Sequence, residues 1–159
     1  MEPDLSSATH MVDVSSKTNT LRSATAFGQI FMQAETLRLI LEDQIPKGDV
    51  LTTAQVAGVM GAKRCWELIP LCHPLPISSV RLDLVPQEAQ NCLNITATVK
   101  VTGKTGVEME ALTAVSLAAL TVYDMCKAHD PEMVIGNIQL KEKQGGRSGH
   151  FKASSLFFR

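Results

Sequence analysis

The strictest alternation of apolar and polar positions in this chain falls between residues 80 and 101. Val80, Leu82 and Leu84 alternate with Arg81 and Asp83, and Leu93, Ile95, Ala97, Val99 and Val101 alternate with Asn94, Thr96, Thr98 and Lys100. Successive side chains of a strand point to opposite faces, so the two runs predict an antiparallel hairpin with one buried face, turning near PQEAQN. Further on the period becomes helical. Leu112, Val115, Ala119, Val122 and Cys126 recur at intervals of three or four and predict a long helix with an apolar stripe. Gly103 and Gly106 stop what precedes it, and Thr105, with Glu108 three residues on, has the spacing of an N-cap in a capping box.

The remaining elements carry weaker patterns. Residues 21 to 32 are β-compatible, and Leu37, Ile40 and Leu41 give a short helix over 34 to 42 that Pro46 and Gly48 close off. Thr52 or Thr53 is a candidate cap for a second helix through Val56, Val59, Met60 and Ala62 to about Trp66. Pro70, Pro74 and Pro76 forbid regular structure across the next loop. Residues 134 to 143 read as a last strand, followed by a GGRSG loop. The order βααββαβ predicts an α+β fold, a ferredoxin-like antiparallel sheet with helices packed on one face. Residues 1–9 lack periodicity and read as a flexible tail. Residues 10–159 read as one domain, since no repeat or linker divides them and the length suits a single core.

Charge narrows the chemistry. With 15 Lys and Arg against 16 Asp and Glu, and only 4% aromatic residues, the chain lacks the basic face or stacking platform that nucleic acid requires. Its cations cluster locally instead, at Lys63 and Arg64, at Lys141, Lys143 and Arg147, and at Lys152, which suits a small anionic ligand. Four cysteines with no CxxC pair, no leader-like opening and no apolar run near the ~20 residues of a membrane span predict a cytoplasmic protein without membrane contact.

Several motifs have both an ordinary and a chemical reading. TGKTG at 102–106 invites comparison with a P-loop, but that spacing needs glycine where Thr98 stands. What remains is a glycine-flanked helix N-terminus able to present amides to a phosphate or carbonyl. Cys65, Cys72 and His73 could be zinc ligands, but four ligands at recognisable spacing are absent, so no metal is assigned to them. Asp124 and Lys127, at i and i+3, would ordinarily form a helical ion pair. Aspartate near a helix C-terminus is disfavoured by the dipole, and uncharged neighbours predict that the pair is partly buried, where acid and base use near neutral pH becomes accessible. Lys47 sits between Pro46 and Gly48, and Arg147 stands in GGRSG. Glycine lets the backbone approach an anion, and arginine grips phosphate bidentately.

The segments HMVDVS (10–15), KGDV (47–50), LIPLCHPL (68–75), TGKTGVEMEALTA (102–114) and YDMCKA (123–128) together resemble the MoaC family of molybdenum cofactor biosynthesis, over about residues 10 to 152. The resemblance implies the same fold and a cytoplasmic lyase, a cyclic pyranopterin monophosphate synthase. Its substrate would be the nucleotide-derived 3′,8-cyclo-7,8-dihydroguanosine 5′-triphosphate, rearranged to a pyranopterin bearing a cyclic phosphate with release of pyrophosphate. It further implies that Asp124 is catalytic and Lys127 essential, and that Leu71, Cys72 and His73, with Met109 and Glu110, contact substrate. Lys47 is placed with Asp124 and Lys127 for proton transfer, and Glu108, Lys63, Arg64, Lys143 and Arg147 with substrate binding, the cations facing the triphosphate. Family members commonly carry lysine where this chain has Arg147, a change that keeps charge but removes any proton-transfer role. No tightly bound cofactor is expected, and a magnesium ion carried by the triphosphate is compatible with the site. Glu110 and Asp124 are too far apart on one helix to share a small substrate, so either the helix breaks or a second copy supplies one end, consistent with the family's hexamers, trimers of dimers. The rival reading from the residues alone is a non-catalytic nucleotide-binding or interaction module.

Overall fold

The computed structural model describes residues 9–154, so all of the predicted tail but its last residue lies outside the described residues. The chain runs through β1 (Thr20–Phe31), α1 (Ala34–Leu41), α2 (Val50–Lys63), α3 (Cys65–Leu68), β2 (Ile77–Gln87), β3 (Cys92–Gly103), α4 (Glu108–Cys126), β4 (Val134–Gln144) and β5 (Phe151–Lys152). The strands form one sheet in the order β2-β3-β1-β4-β5, every neighbouring pair antiparallel. β1 therefore lies between β3 and β4, the predicted ferredoxin-like arrangement, and β5 is an edge addition too short for periodicity to reveal.

The hairpin forms as the alternation requires. Leu82 pairs with Ala97 and Leu84 with Ile95, and a short 3₁₀ turn (Glu88–Gln90) leads into Asn91 at φ 52, a left-handed position that asparagine tolerates. Pro86 is accommodated because β2 is an edge strand. Along β3, Leu93, Ile95, Ala97, Val99 and Val101 are fully buried, while Asn94, Thr96 and Thr98 face the other way and remain partly exposed.

Helix α4 lies across the buried face. Ala111, Ala114, Val115, Ala118, Ala119, Val122 and Cys126 are all fully buried, and small residues among them let it approach the sheet and α2 closely. At Gly58 on α2, a Cβ would meet the Leu82 side chain and come within 3.0 Å of the Ala114 carbonyl oxygen, so only glycine fits that crossing. By length and composition α4 is apolar enough to cross a bilayer, contrary to the expectation that no segment is. It is instead a core helix, with more than half of its apolar stretch buried against the sheet and α2.

Four expectations about helix ends and pairing are corrected. The cap of α2 is Asp49, whose carboxylate accepts from the Thr52 amide at 3.1 Å and the Thr52 hydroxyl at 2.6 Å; neither Thr52 nor Thr53 occupies the cap position. That helix ends at Lys63, and a separate turn, α3, follows. Thr105 does not cap α4, because the helix begins only at Glu108 and Val107, which makes no side-chain bond, occupies the cap position; the Glu108 carboxylate that would complete the box is engaged by Lys143 of β4. The Asp124 and Lys127 pair is not partly buried: their side chains are 59% and 54% exposed, since they lie on the outer face of a turn whose inner face buries Val122, Met125 and Cys126.

Candidate active site

At the C-terminal end of α4, Asp124 stands between two ammonium groups. Lys127 Nζ lies 3.0 Å from Oδ1, and Lys47 Nζ lies 3.2 Å from Oδ2 while also donating to the Asp124 carbonyl oxygen at 3.1 Å. This answers the question the sequence poses about a carboxylate at the negative end of a helix dipole. Two cations hold it there, one of them reaching across from the loop before α2. The hydrogen bond from Lys127, then that from Lys47, then the two positive charges hold the Asp124 carboxyl below its ordinary range. It is thus a carboxylate throughout the neutral range, with two proton donors on it.

The N-terminal end of α4 is built differently. Arg22 of β1 donates through Nε to Gly103 O at 3.0 Å and through Nη2 to Lys104 O at 3.1 Å, pinning the TGKTG loop to the sheet. Lys143 of β4 pairs with Glu108 at 3.1 Å, both side chains about a third exposed. A cavity of about 180 Å³ opens here, with Lys17, Arg22, Glu108, Lys143 and Ser148 on its walls. A second of about 240 Å³ shares Lys17, Arg22 and Ser148 and adds Arg147 from the glycine loop. Four cations therefore surround two adjoining hollows, the lining an oligophosphate requires.

Beside this basic region lies the proline-bounded loop. His73 Nε2 is 2.7 Å from Val12 O, which brings the HMVDVS segment against the loop, and Lys104 Nζ lies 3.5 Å from Ser15 O. Cys72 donates from Sγ to Glu110 Oε1 at 3.4 Å. Glu110 is 3% exposed, and burial pushes its carboxyl above the ordinary range. Leu71 and Met109 are exposed, at 48% and 39%, presenting apolar surface to whatever enters.

The expected site residues thus fall into separate groups. Lys47, Asp124 and Lys127 come together at one end of α4. Leu71, Cys72, His73, Glu108, Met109 and Glu110 gather at the other, with Lys143 and Arg147 beside them. Lys63 and Arg64 are exposed at the C-terminal end of α2 and line neither basic cavity. Arg64 instead borders an apolar hollow of about 270 Å³ with Met60, Leu68 and Leu117. Lys17 and Arg22 were not singled out from the sequence. Basic residues near a strand start usually mark a solvated face, and only the pairing of β1 with β3 and β4 turns these two toward the glycine loops.

The MoaC family model matches residues 11–146. The chain is 61% identical over 141 residues to the cyclic pyranopterin monophosphate synthase of Brevibacillus brevis (strain 47 / JCM 6285 / NBRC 100599), an alignment that spans 89% of this chain and 88% of that protein.

Proposed function

The chain belongs to the MoaC family, and on that premise we propose that it is a cyclic pyranopterin monophosphate synthase, a lyase of molybdenum cofactor biosynthesis. It converts 3′,8-cyclo-7,8-dihydroguanosine 5′-triphosphate to cyclic pyranopterin monophosphate and pyrophosphate. The observation that carries the assignment of roles is the division of α4 into a proton-handling end and an anion-binding end. Asp124, Lys127 and Lys47 move protons during opening and reclosure of the base: an ammonium donates to a ring nitrogen, and the Asp124 carboxylate, bonded to both lysines, is positioned to take up and return a proton within the cluster. Lys143 and Arg147, with Lys17 and Arg22, hold the triphosphate and offset the charge that grows on the departing pyrophosphate when the ribose 2′-oxygen attacks the α-phosphorus. Leu71, Cys72, His73, Met109 and Glu110 contact the base and sugar. Lys63 and Arg64 stand apart from that basic region in one chain and act only where a second copy brings substrate to them.

The working form is a homo-oligomer, a hexamer built as a trimer of dimers. Two features support this. The two ends of α4 are farther apart than one substrate spans, and the helix is unbroken from Glu108 to Cys126, so a pocket that uses both ends takes one of them from a partner. The outer surface around α2, α3 and α4 exposes Val56, Met60, Trp66 and Leu120, each about half exposed, an apolar surface of the kind that copies of a chain cover. The four unpaired cysteines are consistent with a cytoplasmic location.

Single-turnover product analysis tests the synthase. Mixed with the cyclised triphosphate, the protein should release one pyrophosphate per substrate and yield the pterin cyclic phosphate. A non-catalytic nucleotide-binding module would return the ligand unchanged, and that result would overturn the proposal.

A further inference from the structure

The start of α3, the loop before β2 and the first turn of α4 bring Cys65, Cys72 and Glu110 to one point. One ligating atom from each, two Sγ and a carboxylate oxygen, all lie within 4.8 Å of one another. The two Sγ atoms are 3.9 Å apart, and Cys72 Sγ is 3.4 Å from Glu110 Oε1. A tetrahedral zinc ion with Zn–S of ~2.3 Å and Zn–O of ~2.1 Å places two thiolates about 3.8 Å apart, and thiolate and carboxylate about 3.6 Å apart. Both measured edges match this geometry within a few tenths of an ångström. The cysteines are free rather than disulfide-bonded.

The surroundings lack only a cation. Glu110 Oε2 is buried with no hydrogen-bond partner, and among the described residues no lysine, arginine or histidine pairs with this carboxylate. A buried acceptor in that state costs stability unless something neutralises it. Burial, then the Glu110 charge, pushes the Cys72 thiol up to about 12; burial foremost also raises the Cys65 thiol. Burial thus shifts three neighbouring acids toward their neutral forms in a site without positive charge, the condition that a divalent ion reverses by displacing protons. Thr113 Oγ1, 3.4 Å from Cys65 Sγ, is placed to donate to the resulting thiolate. Sulfur donors select a soft or borderline ion over magnesium.

We propose that Cys65, Cys72 and Glu110 form a three-ligand site for a thiophilic divalent cation of the zinc class, with the fourth position open to water. The sequence offers Cys65 and Cys72 with His73 as candidate ligands but not Glu110, which folding brings in from another element. Binding joins the proline-bounded loop to the start of α4 and strengthens as pH rises, since the ion replaces protons on the thiols and the carboxyl.

The experiment is a cobalt(II) titration of the reduced full-length protein, without substrate, against a competing chelator. The expected result is saturation at one ion per chain with a sulfur-to-cobalt charge-transfer band in the near ultraviolet, bleached by zinc. C65A and C72A should each diminish the band, E110Q should weaken affinity tenfold or more, and C92A should leave both unaltered. Should the cysteine variants not fold, the wild-type protein still decides the matter, because zinc should raise its melting temperature and slow alkylation of half-buried Cys72. No stoichiometric band in the wild type, a band that persists in folded C65A and C72A, or a Cys65–Cys72 disulfide forming under mild oxidation in protein that takes up no cobalt would overturn the site. Because no substrate is used, its failure leaves the synthase assignment standing.

Discussion

Glu110 and Asp124 sit on one unbroken helix, roughly 21 Å apart along its axis at ~1.5 Å per residue. Their surroundings are opposite in kind. Glu110 is buried, with one carboxylate oxygen unpartnered, whereas Asp124 is exposed and held by two lysines. The first suits recognition in a desolvated pocket and the second suits exchange of protons with a ligand that arrives from outside. A continuous helix keeps these functions apart in one chain, which is why a second copy enters the account.

Removing either member of the exposed cluster should stop the chemistry without unfolding the chain. D124N and K127A are each expected to lower single-turnover rates by at least 10²-fold, the low end of general acid–base contributions, with unaltered circular dichroism. Their exposure makes a loss of fold an unconvincing excuse. Wild-type-like kcat in either variant would remove them from the proton-transfer role.

Titration of the Asp124 carboxyl, followed by NMR, should have a midpoint below 3.8. K127A should raise it further toward that value than K47A does, because the Lys127 hydrogen bond is the larger cause. A carboxyl whose folded pKa is depressed contributes stability above the unfolded value, and that contribution disappears as pH falls through the folded one. An Asp124 midpoint at or above 3.8 in the wild type would contradict the geometry.

Arg147 is expected to govern binding more than turnover. In calorimetry with a non-hydrolysable triphosphate ligand, R147A should bind more weakly, and its affinity should depend less on salt, since one cation fewer faces the phosphates. Unaltered affinity combined with lost chemistry would show that the phosphate role is misassigned.

G58A tests the packing of α2 against α4 and the sheet. An added methyl at this crossing meets Leu82 and the Ala114 carbonyl, and overpacking of this kind costs about 1–3 kcal/mol. Denaturant unfolding should show that loss in the midpoint with an unchanged slope. A stabilised G58A would mean that the helices have room to separate.

The legible parts of this structure were those fixed by short-range periodicity. The β2 and β3 hairpin and the buried stripe of α4 follow from alternation and from three- and four-residue spacing, and the strand order follows once those elements are placed. Helix ends were less legible, since Asp49 caps α2 where Thr52 or Thr53 was expected, and Thr105 offered a capping box whose glutamate goes to Lys143 instead. Site geometry was legible only where a family motif marked it. The contact from Lys47 to Asp124 joins residues 77 positions apart, and the one from Arg22 to Gly103 joins residues 81 apart. No local pattern encodes such pairs. The uncharged neighbours of Asp124 do not reveal its exposure either, because Val122, Met125 and Cys126 occupy the buried face of that turn while Asp124 lies on the opposite one.

The measurement that bears most directly on a site shared between copies is complementation between inactive variants. D124N carries an intact anion-binding end and E110A an intact proton-handling end. Mixed under conditions that exchange subunits, with exchange verified by mass spectrometry of tagged chains, they should regain activity as heterodimers form, to roughly a quarter of wild type if random pairing gives one intact site in half of the dimers. Activity that stays at the level of the separate variants despite verified exchange would contradict a pocket completed by a second copy, as would full activity in a species shown by sedimentation to be monomeric.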